Sequence, residues 1–130
     1  MEVLELNSKA KPTDIPEYLS PFLVKKQLVG SRAICVPPPT DTDMDFLCLT
    51  KGEVYSKVCK TLLETDGYKL DGNYPLSNFE SFKKDIINVI LTHDVGFYNK
   101  FIVAMLVCKE LNVLNKKQRI KIHELIRDMK

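Results

Sequence analysis

The sequence of residues 43–49 is DMDFLCL, and its pattern of acidic and apolar residues predicts the central element of the fold. It begins with acidic residues that alternate with apolar ones, and it ends fully apolar. The pattern predicts a β-strand that leaves a solvent-facing site and enters a hydrophobic core. Because successive side chains of a strand point to opposite faces, Asp43 and Asp45 should share one face, with Met44 and Phe46 on the other.

Two carboxylates side by side repel each other, and a shared divalent cation relieves that cost. Mg²⁺ suits such a pair, since it prefers hard oxygen ligands and commonly bridges carboxylates and phosphates. Mn²⁺ accepts the same ligands. We therefore expect Asp43 and Asp45 to be metal ligands. Taken alone, an Asp-x-Asp pair after the proline-rich residues 37–39 is more often a solvated loop edge or a helix cap.

The residues before this strand, Val29-Gly30-Ser31-Arg32, form a second pattern with possible chemistry. Glycine lets backbone N–H groups turn toward an anion, and serine adds a hydroxyl donor. Such a turn can hold the phosphates of a nucleotide. Arg32 could offer a forked donor to the same phosphates, although a structural ion pair would explain it equally well. A lone Gly-Ser usually means only a turn.

The rest of the chain alternates between strand and helix patterns, with two helices at the C-terminal end. We predict an α+β fold with a small mixed β-sheet backed by helices, in a single domain over residues 1–130. Residues 1–12 would be a loose arm or an edge strand. The expected elements are a helix from about 13 to 26, strands at 32–36 and 43–49, a helix at 52–64, a hairpin-like pair at 79–82 and 86–91, and helices at 95–111 and 116–129, the last capped by Asn115.

The charge balance limits the partners. The net charge of +2 excludes a strongly basic nucleic-acid wrapper but leaves room for a local basic patch. The densest basic region is 116–127, which is either the solvated face of a helix or a surface for RNA or another polyanion.

Four cysteines lie scattered in apolar segments without a CxxC pair, as expected for free thiols in a reducing cytoplasm. The N-terminal residues lack the pattern of a signal peptide, and no apolar run approaches the roughly 20 residues that span a bilayer. The sequence therefore predicts a cytoplasmic protein with no membrane partner.

The two patterns together resemble a known signature. An apolar residue and Gly-Ser, an eleven-residue gap, and Asp-apolar-Asp-apolar are similar to the signature of the DNA polymerase β-like nucleotidyltransferase superfamily. Here the residues are Val29-Gly30-Ser31 and then 43–46. The chain also resembles small nucleotidyltransferases of bacteriophage genomes through residues 79–84, 88–92 and 97–98. That likeness implies the host cytoplasm as the compartment.

The resemblance implies a nucleotidyltransferase-like fold and a reaction. Gly30 and Ser31 would bind the β- and γ-phosphates of a nucleoside triphosphate. Asp43 and Asp45 would hold two Mg²⁺ ions about 4 Å apart. A nucleoside monophosphate would pass to an acceptor hydroxyl of an RNA 3′ end, a protein or a small molecule. Minimal members of the superfamily lack a large acceptor domain, so the resemblance implies that a partner protein or a homodimer would complete the site.

The chain departs from the superfamily in one position. The resemblance implies a third catalytic carboxylate on a later strand, and the matching position holds Asn88. An amide oxygen can bind Mg²⁺ weakly but cannot act as a base near neutral pH. Asp85 should face away because its strand parity is opposite to that of Asn88. Either Glu80 reaches in from the neighbouring strand, or the protein binds nucleotide, is catalytically weak, and acts by association with another macromolecule.

Overall fold

The computed structural model describes residues 14–34, 43–74, 79–113 and 115–129, and it leaves out the side chains of residues 31 and 72–74. The predicted arm at 1–12 lies outside the described residues. Within them the order is a 3₁₀ helix Glu17–Phe22, β1 Leu23–Val29, α1 Ser31–Ile34, β2 Met44–Thr50, α2 Glu53–Thr65, β3 Lys69–Tyr74, β4 Phe79–Lys84, β5 Ile87–Thr92, α3 Val95–Glu110 and α4 Lys116–Arg127.

The described strands form one mixed sheet in the order β1-β2-β5-β4-β3. The β2–β5 pair is parallel and the other neighbours are antiparallel. Parallel strands run in the same direction, so the first residues of β2 and β5 lie at the same edge of the sheet. The last residues of β1 and β4 lie at that edge too, because those strands run the opposite way.

Helices cover both faces of the sheet. On one face, Phe46 and Val89 pack with Cys59 and Leu63 of α2. On the other face, the alternate residues of the same strands pack with α1 and α3; the buried members of that core are Val29, Ile34, Leu47, Leu49, Ile90, Tyr98, Met105 and Cys108. Strand parity thus divides the apolar residues between two cores.

Most of the predicted elements are confirmed. The structure contains the strand at 44–50, the helix at 53–65, the β4–β5 hairpin and the two C-terminal helices. Asn115 caps α4, since its side chain accepts a hydrogen bond from the Gln118 N–H at 3.1 Å. The predicted α+β class is confirmed, with a five-stranded mixed sheet over the described residues.

Two predicted elements are wrong. The helix expected from about 13 to 26 is helical only over Glu17–Phe22, and Leu23–Val29 is a strand paired along its length with β2. The strand expected at 32–36 is wrong over its described residues, which belong to a helical turn at Ser31–Ile34, closed by the N–H groups of Ala33 and Ile34 that donate to the Gly30 carbonyl. Residues 35 and 36 lie outside the described residues. Leu23–Val29 forms a strand because pairing with the buried strand β2 satisfies its backbone hydrogen-bonding groups. The local apolar pattern, which predicted a helix, does not contain this information.

Three of the four cysteines, Cys48, Cys59 and Cys108, are buried and free, as predicted. Burial raises the pKa of the Cys48 thiol to about 12 and that of Cys59 to about 11, so both stay protonated and unreactive near neutral pH. Cys35 lies outside the described residues. Within those residues, none of the helices has the length and apolar character needed to cross a membrane.

Candidate functional site

One row of residues crosses four strands at the edge of the sheet where the acidic pair lies. Val29 of β1 pairs with Asp45 of β2, Asp45 pairs with Asn88 of β5, and Asn88 pairs with Lys83 of β4. Side chains of directly opposed residues point to the same face. The row therefore places the side chains of Asp45, Asn88 and Lys83 next to one another, on the face covered by α3.

Asp45 lies at the centre of this row and is partly buried. Its Oδ1 atom accepts a hydrogen bond from Asn88 Nδ2 at 3.0 Å. Burial raises the pKa of Asp45, the hydrogen bond from Asn88 opposes that rise, and the nearby charge of Asp43 adds to it. The structure thus brings the amide predicted from the family pattern into direct contact with the acidic pair.

The amide of Asn88 is only half satisfied. Its nitrogen donates to Asp45, but its Oδ1 atom is buried and has no hydrogen-bond partner in the part of the chain that the structure describes. An unsatisfied buried acceptor is costly, and such groups need an explanation such as an ion. An amide oxygen without a partner is a hard donor of the kind that a divalent cation binds.

Asp43 is paired with a residue that the sequence analysis did not single out. Lys83 Nζ lies 2.9 Å from Asp43 Oδ2, and the two side chains are 39% and 41% exposed. The hydrogen bond with Asp43 is the largest cause of the raised pKa of Lys83, which stays charged. The alternation of side chains along β4 could have predicted this position, because it puts Lys83 on the opposite face of the sheet from the buried Phe82.

Gly30 lies against the acidic pair at the end of β1. Its φ angle is +74°, a left-handed conformation that glycine adopts without strain. A Cβ atom at this position would overlap Asp45 Oδ2. The close approach of the backbone to the carboxylate therefore requires glycine for two independent reasons.

A cavity of about 550 Å³ opens above this row, within the range of about 300–1,000 Å³ typical of ligand sites. Gly30 and the two aspartates form one wall, and α3 and α4 form the other. Arg32, predicted to bind phosphate, is half-buried in α1 and is absent from the lining, and the side chain of Ser31 lies outside the description. The lining residues are Val29, Gly30, Ile34, Asp43, Asp45, Ile90, Phe101, Lys116, Arg119, Ile120 and His123.

The wall formed by α4 is basic. Lys116, Arg119 and His123 follow the i, i+3, i+7 spacing of one helix face, and all three line the cavity. The charge of Lys116 lowers the pKa of Asp45, as expected for a cation across the cavity. Part of the basic C-terminal region therefore lines the cavity that contains the acidic pair. Lys117, the residue after Lys116, is exposed to solvent, as the alternative prediction of a solvated helix face requires.

His123 is half-buried between the cavity and the ring of Phe101, with ring centroids 4.5 Å apart. Burial lowers its pKa below 6.5, and the nearby charge of Arg119 acts in the same direction. The imidazole is therefore neutral at pH 7. Its helical spacing from Lys116 was the signal in the sequence, but only the packing of α4 shows which face turns inward.

Neither alternative carboxylate reaches the site. Glu80 shares the face of Phe82, on the α2 side of the sheet, where its carboxylate lies 3.4 Å from Lys60 Nζ. Asp85 is exposed in the turn before β5, with a φ angle of +55°. Across the described ranges, no group of three or more His, Cys, Asp or Glu side chains is placed to hold a metal ion.

The residues present nevertheless fit a divalent cation. Two carboxylates and the unsatisfied Asn88 Oδ1 are hard oxygen donors of the kind that Mg²⁺ and Mn²⁺ accept. The amide would have to rotate or the cation would have to approach from its oxygen side, because its nitrogen now faces Asp45. Lys83 would give up or share Asp43.

The sheet order and the helices on both faces make a mixed α+β fold, which is consistent with the nucleotidyltransferase-like fold implied by the sequence resemblance. Comparison of the sequence with protein-family models and with curated proteins found no match. Among solved structures, the chain is similar to the conserved protein GrpB from Enterococcus faecalis, with a TM-score of 0.53 and 13% sequence identity over 97% of this chain and 88% of that chain. At this identity the similarity concerns the fold alone.

Proposed function

We propose that the protein is a Mg²⁺-dependent nucleotidyltransferase, which transfers a nucleoside monophosphate from a nucleoside triphosphate to an acceptor hydroxyl and releases pyrophosphate. One observation carries the proposal: Asp43 and Asp45 share a cavity with the Gly30 turn on one side and the basic face of α4 on the other. Anionic phosphates need both donors and cations, and an acidic pair beside them needs a metal.

The described residues have separate roles in this proposal. The backbone at Gly30 and Ser31 would bind the phosphates, and Lys116 and Arg119 would neutralise them from across the cavity. Asp43, Asp45 and Asn88 Oδ1 would hold the metal. Mg²⁺, or Mn²⁺ in its place, would supply neutralisation of the charge that develops on the transferred phosphoryl group. The phosphate-binding role of Arg32 stays a prediction of the family resemblance.

The acceptor is proposed by class only: an RNA 3′ end, a protein hydroxyl or a small molecule. The basic face of α4 favours a polyanionic acceptor over a neutral one. A partner protein or a second copy of the chain would complete the acceptor side of the site. The compartment that we propose is the cytoplasm, which for a phage protein is that of the host cell.

Transfer of label from each α-labelled nucleoside triphosphate into a cell lysate tests the proposal, first with Mg²⁺ and then with Mn²⁺. The Asp43→Asn/Asp45→Asn double variant should abolish the transfer. Asp85→Asn is a matched control, because Asp85 is exposed and asparagine tolerates its left-handed backbone conformation. Labelled RNA, protein or small molecule that persists with the double variant would contradict the assignment.

A second candidate is a catalytically degenerate nucleotide-binding protein that acts by association with a host or partner macromolecule. The ion pair of Lys83 with Asp43 and the hydrogen bond of Asn88 with Asp45 favour it, because they satisfy both carboxylates without a cation. Calorimetric titration with a nucleoside triphosphate separates the candidates. Binding that is independent of Mg²⁺, with no label transfer, would favour the degenerate protein.

A further inference from the structure

A second cavity, of about 430 Å³, lies between β4, α3 and α4 and is lined mostly by aromatic rings. The rings of Phe79 and Phe97 stack with centroids 5.2 Å apart, and Phe97 meets Phe101 edge-on at 5.9 Å. His123 continues the series, 4.5 Å from Phe101. We call this space the aromatic cavity and the space above Asp43 and Asp45 the acidic cavity.

The two cavities are adjacent. Phe101, Ile120 and His123 line both of them, so these three residues lie at the junction of the two cavities along α3 and α4. At one end stand carboxylates, the Gly30 turn and the cations Lys116 and Arg119. At the other end the lining is aromatic and aliphatic, together with the charged residues Lys100 of α3 and Glu124 and Arg127 of α4.

The order of these surfaces matches the order of groups in a nucleotide. A nucleoside triphosphate has an anionic chain at one end and a flat aromatic base at the other. Aromatic side chains bind bases by stacking on their faces, and because every base has such a face, stacking tolerates any base. The neutral imidazole of His123, at the junction, adds a group that can either stack or form a hydrogen bond.

We infer that the aromatic cavity, lined by Phe79, Phe97, Phe101 and His123, binds the base of the nucleoside triphosphate whose phosphates occupy the acidic cavity. The inference rests on the proposed function and adds to it the part of the site that recognises the nucleoside. The base would stack against the exposed faces of the phenylalanine rings. The ribose would lie at the junction, beside Ile120 and His123.

The test compares ATP with tripolyphosphate, which has the same phosphates and no base, by calorimetric titration in Mg²⁺. ATP should bind at least about tenfold more tightly than tripolyphosphate. Phe97→Leu removes a ring that lines the aromatic cavity and not the acidic one, and it keeps apolar bulk, so it should weaken ATP binding by roughly tenfold and leave tripolyphosphate binding unchanged. Phe22→Leu is the matched control, because Phe22 is a partly buried phenylalanine packed in the core on the opposite face of the sheet.

A second measurement does not depend on any variant. Selective irradiation of the phenylalanine ring protons of the unaltered protein should transfer saturation to the base protons of bound ATP, and more strongly than to its ribose protons. This measurement tests the inference if Phe97→Leu fails to fold.

The outcomes separate the inference from the proposed function. If ATP and tripolyphosphate bind equally well and the base protons receive no saturation, the base site is wrong while a phosphate-binding acidic cavity stands. If neither compound binds, the proposed function fails and the inference with it. Strong ATP binding that Phe97→Leu leaves unchanged, without saturation of the base protons, would also overturn the inference.

Discussion

At the scale of single residues, Asp45 is partly buried, accepts a hydrogen bond from Asn88 and stands near the negative charge of Asp43. The hydrogen bond favours its ionised form, and both burial and Asp43 disfavour it. Burial is the largest of these effects, so the pKa of Asp45 is raised in the folded protein. A carboxylate kept at such a cost in a cavity is a candidate for function rather than for stability.

Asp45→Asn should therefore stabilise the metal-free protein at neutral pH. The folded protein binds a proton at Asp45 more tightly than the unfolded chain, whose carboxyl titrates near 3.8. Stability is then lost as the pH rises from that value through the raised pKa, and it is regained on acidification. Asparagine keeps the oxygen that accepts the hydrogen bond from Asn88.

Thermal unfolding of both proteins from pH 4 to pH 8, without divalent ions, checks this prediction. The advantage of Asp45→Asn should be small at pH 4 and larger at pH 8, and added Mg²⁺ should narrow it by stabilising only the unaltered protein. A variant less stable than the parent at pH 8 without metal would contradict the account of Asp45.

Asn88→Asp should raise the rate of nucleotide transfer, by about tenfold or more if a base is what the site lacks. The new carboxylate would occupy the register position opposite Asp45, where it adds a metal ligand and a proton acceptor. Single-turnover label transfer in Mg²⁺ measures the effect. Asn112→Asp, in the exposed turn after α3, is the control. No gain in rate would mean that the third group lies elsewhere or that catalysis is absent.

At the scale of elements, α4 has two different long faces. Lys116, Arg119 and His123 line the cavity, whereas Lys117 and Lys121, which are exposed like Lys116, do not line it. The apolar residues of α4 also differ in their surroundings. Ile122 packs against the buried residues on the α3 side of the sheet, whereas Ile120 is 48% exposed where it lines the cavity. An open cleft on one side of α4 explains both observations.

Lys116→Gln should weaken binding of a nucleoside triphosphate by roughly fivefold, the scale of about 1 kcal/mol for a partly solvated charge contact. The rate at saturating substrate should change less, because Lys116 acts on the phosphates in the ground state as well. Steady-state kinetics at two salt concentrations measure this effect, and salt should reduce the difference. Lys117→Gln is the adjacent control, and an equal effect of both variants would mean that only the overall charge matters.

At the scale of the whole molecule, the sheet separates a core on the α2 side from the face that carries the site. Leu63 is fully buried in the α2-side core, with none of its surface exposed. The acidic cavity, the aromatic cavity and the cations of α4 all lie on the other side. Stability and ligand binding should therefore respond to different sets of residues.

Leu63→Ala should lower the free energy of unfolding by about 2–5 kcal/mol, because it removes a buried side chain and leaves a cavity. Nucleotide affinity measured well below the unfolding temperature should stay within about twofold of the parent, since distant sites act independently. Urea unfolding and calorimetric titration make the two measurements. Leu125→Ala, at a position 62% exposed, should change neither. A large loss of affinity in Leu63→Ala would show that the two sides are coupled.

The elements that could be predicted from the sequence alone are those with a strong, local pattern of side chains. Alternation over residues 43–49 predicted β2 and the shared face of Asp43 and Asp45, and Asn115 predicted the start of α4. The family pattern pointed to Asn88, which the register places opposite Asp45. These features depend on side-chain periodicity and capping within a few residues, so a single sequence contains them.

The contacts between residues on different strands and across the cavity are seen only in the tertiary structure. Leu23–Val29 is a strand because β2 is available to pair with it, and Lys83 joins Asp43 because β4 lies beside β5. His123 and Lys116 face the acidic pair because α4 packs back over the edge of the sheet. Such contacts join residues tens of positions apart, and their choice depends on the balance of pairing and burial over the whole chain rather than on any local pattern.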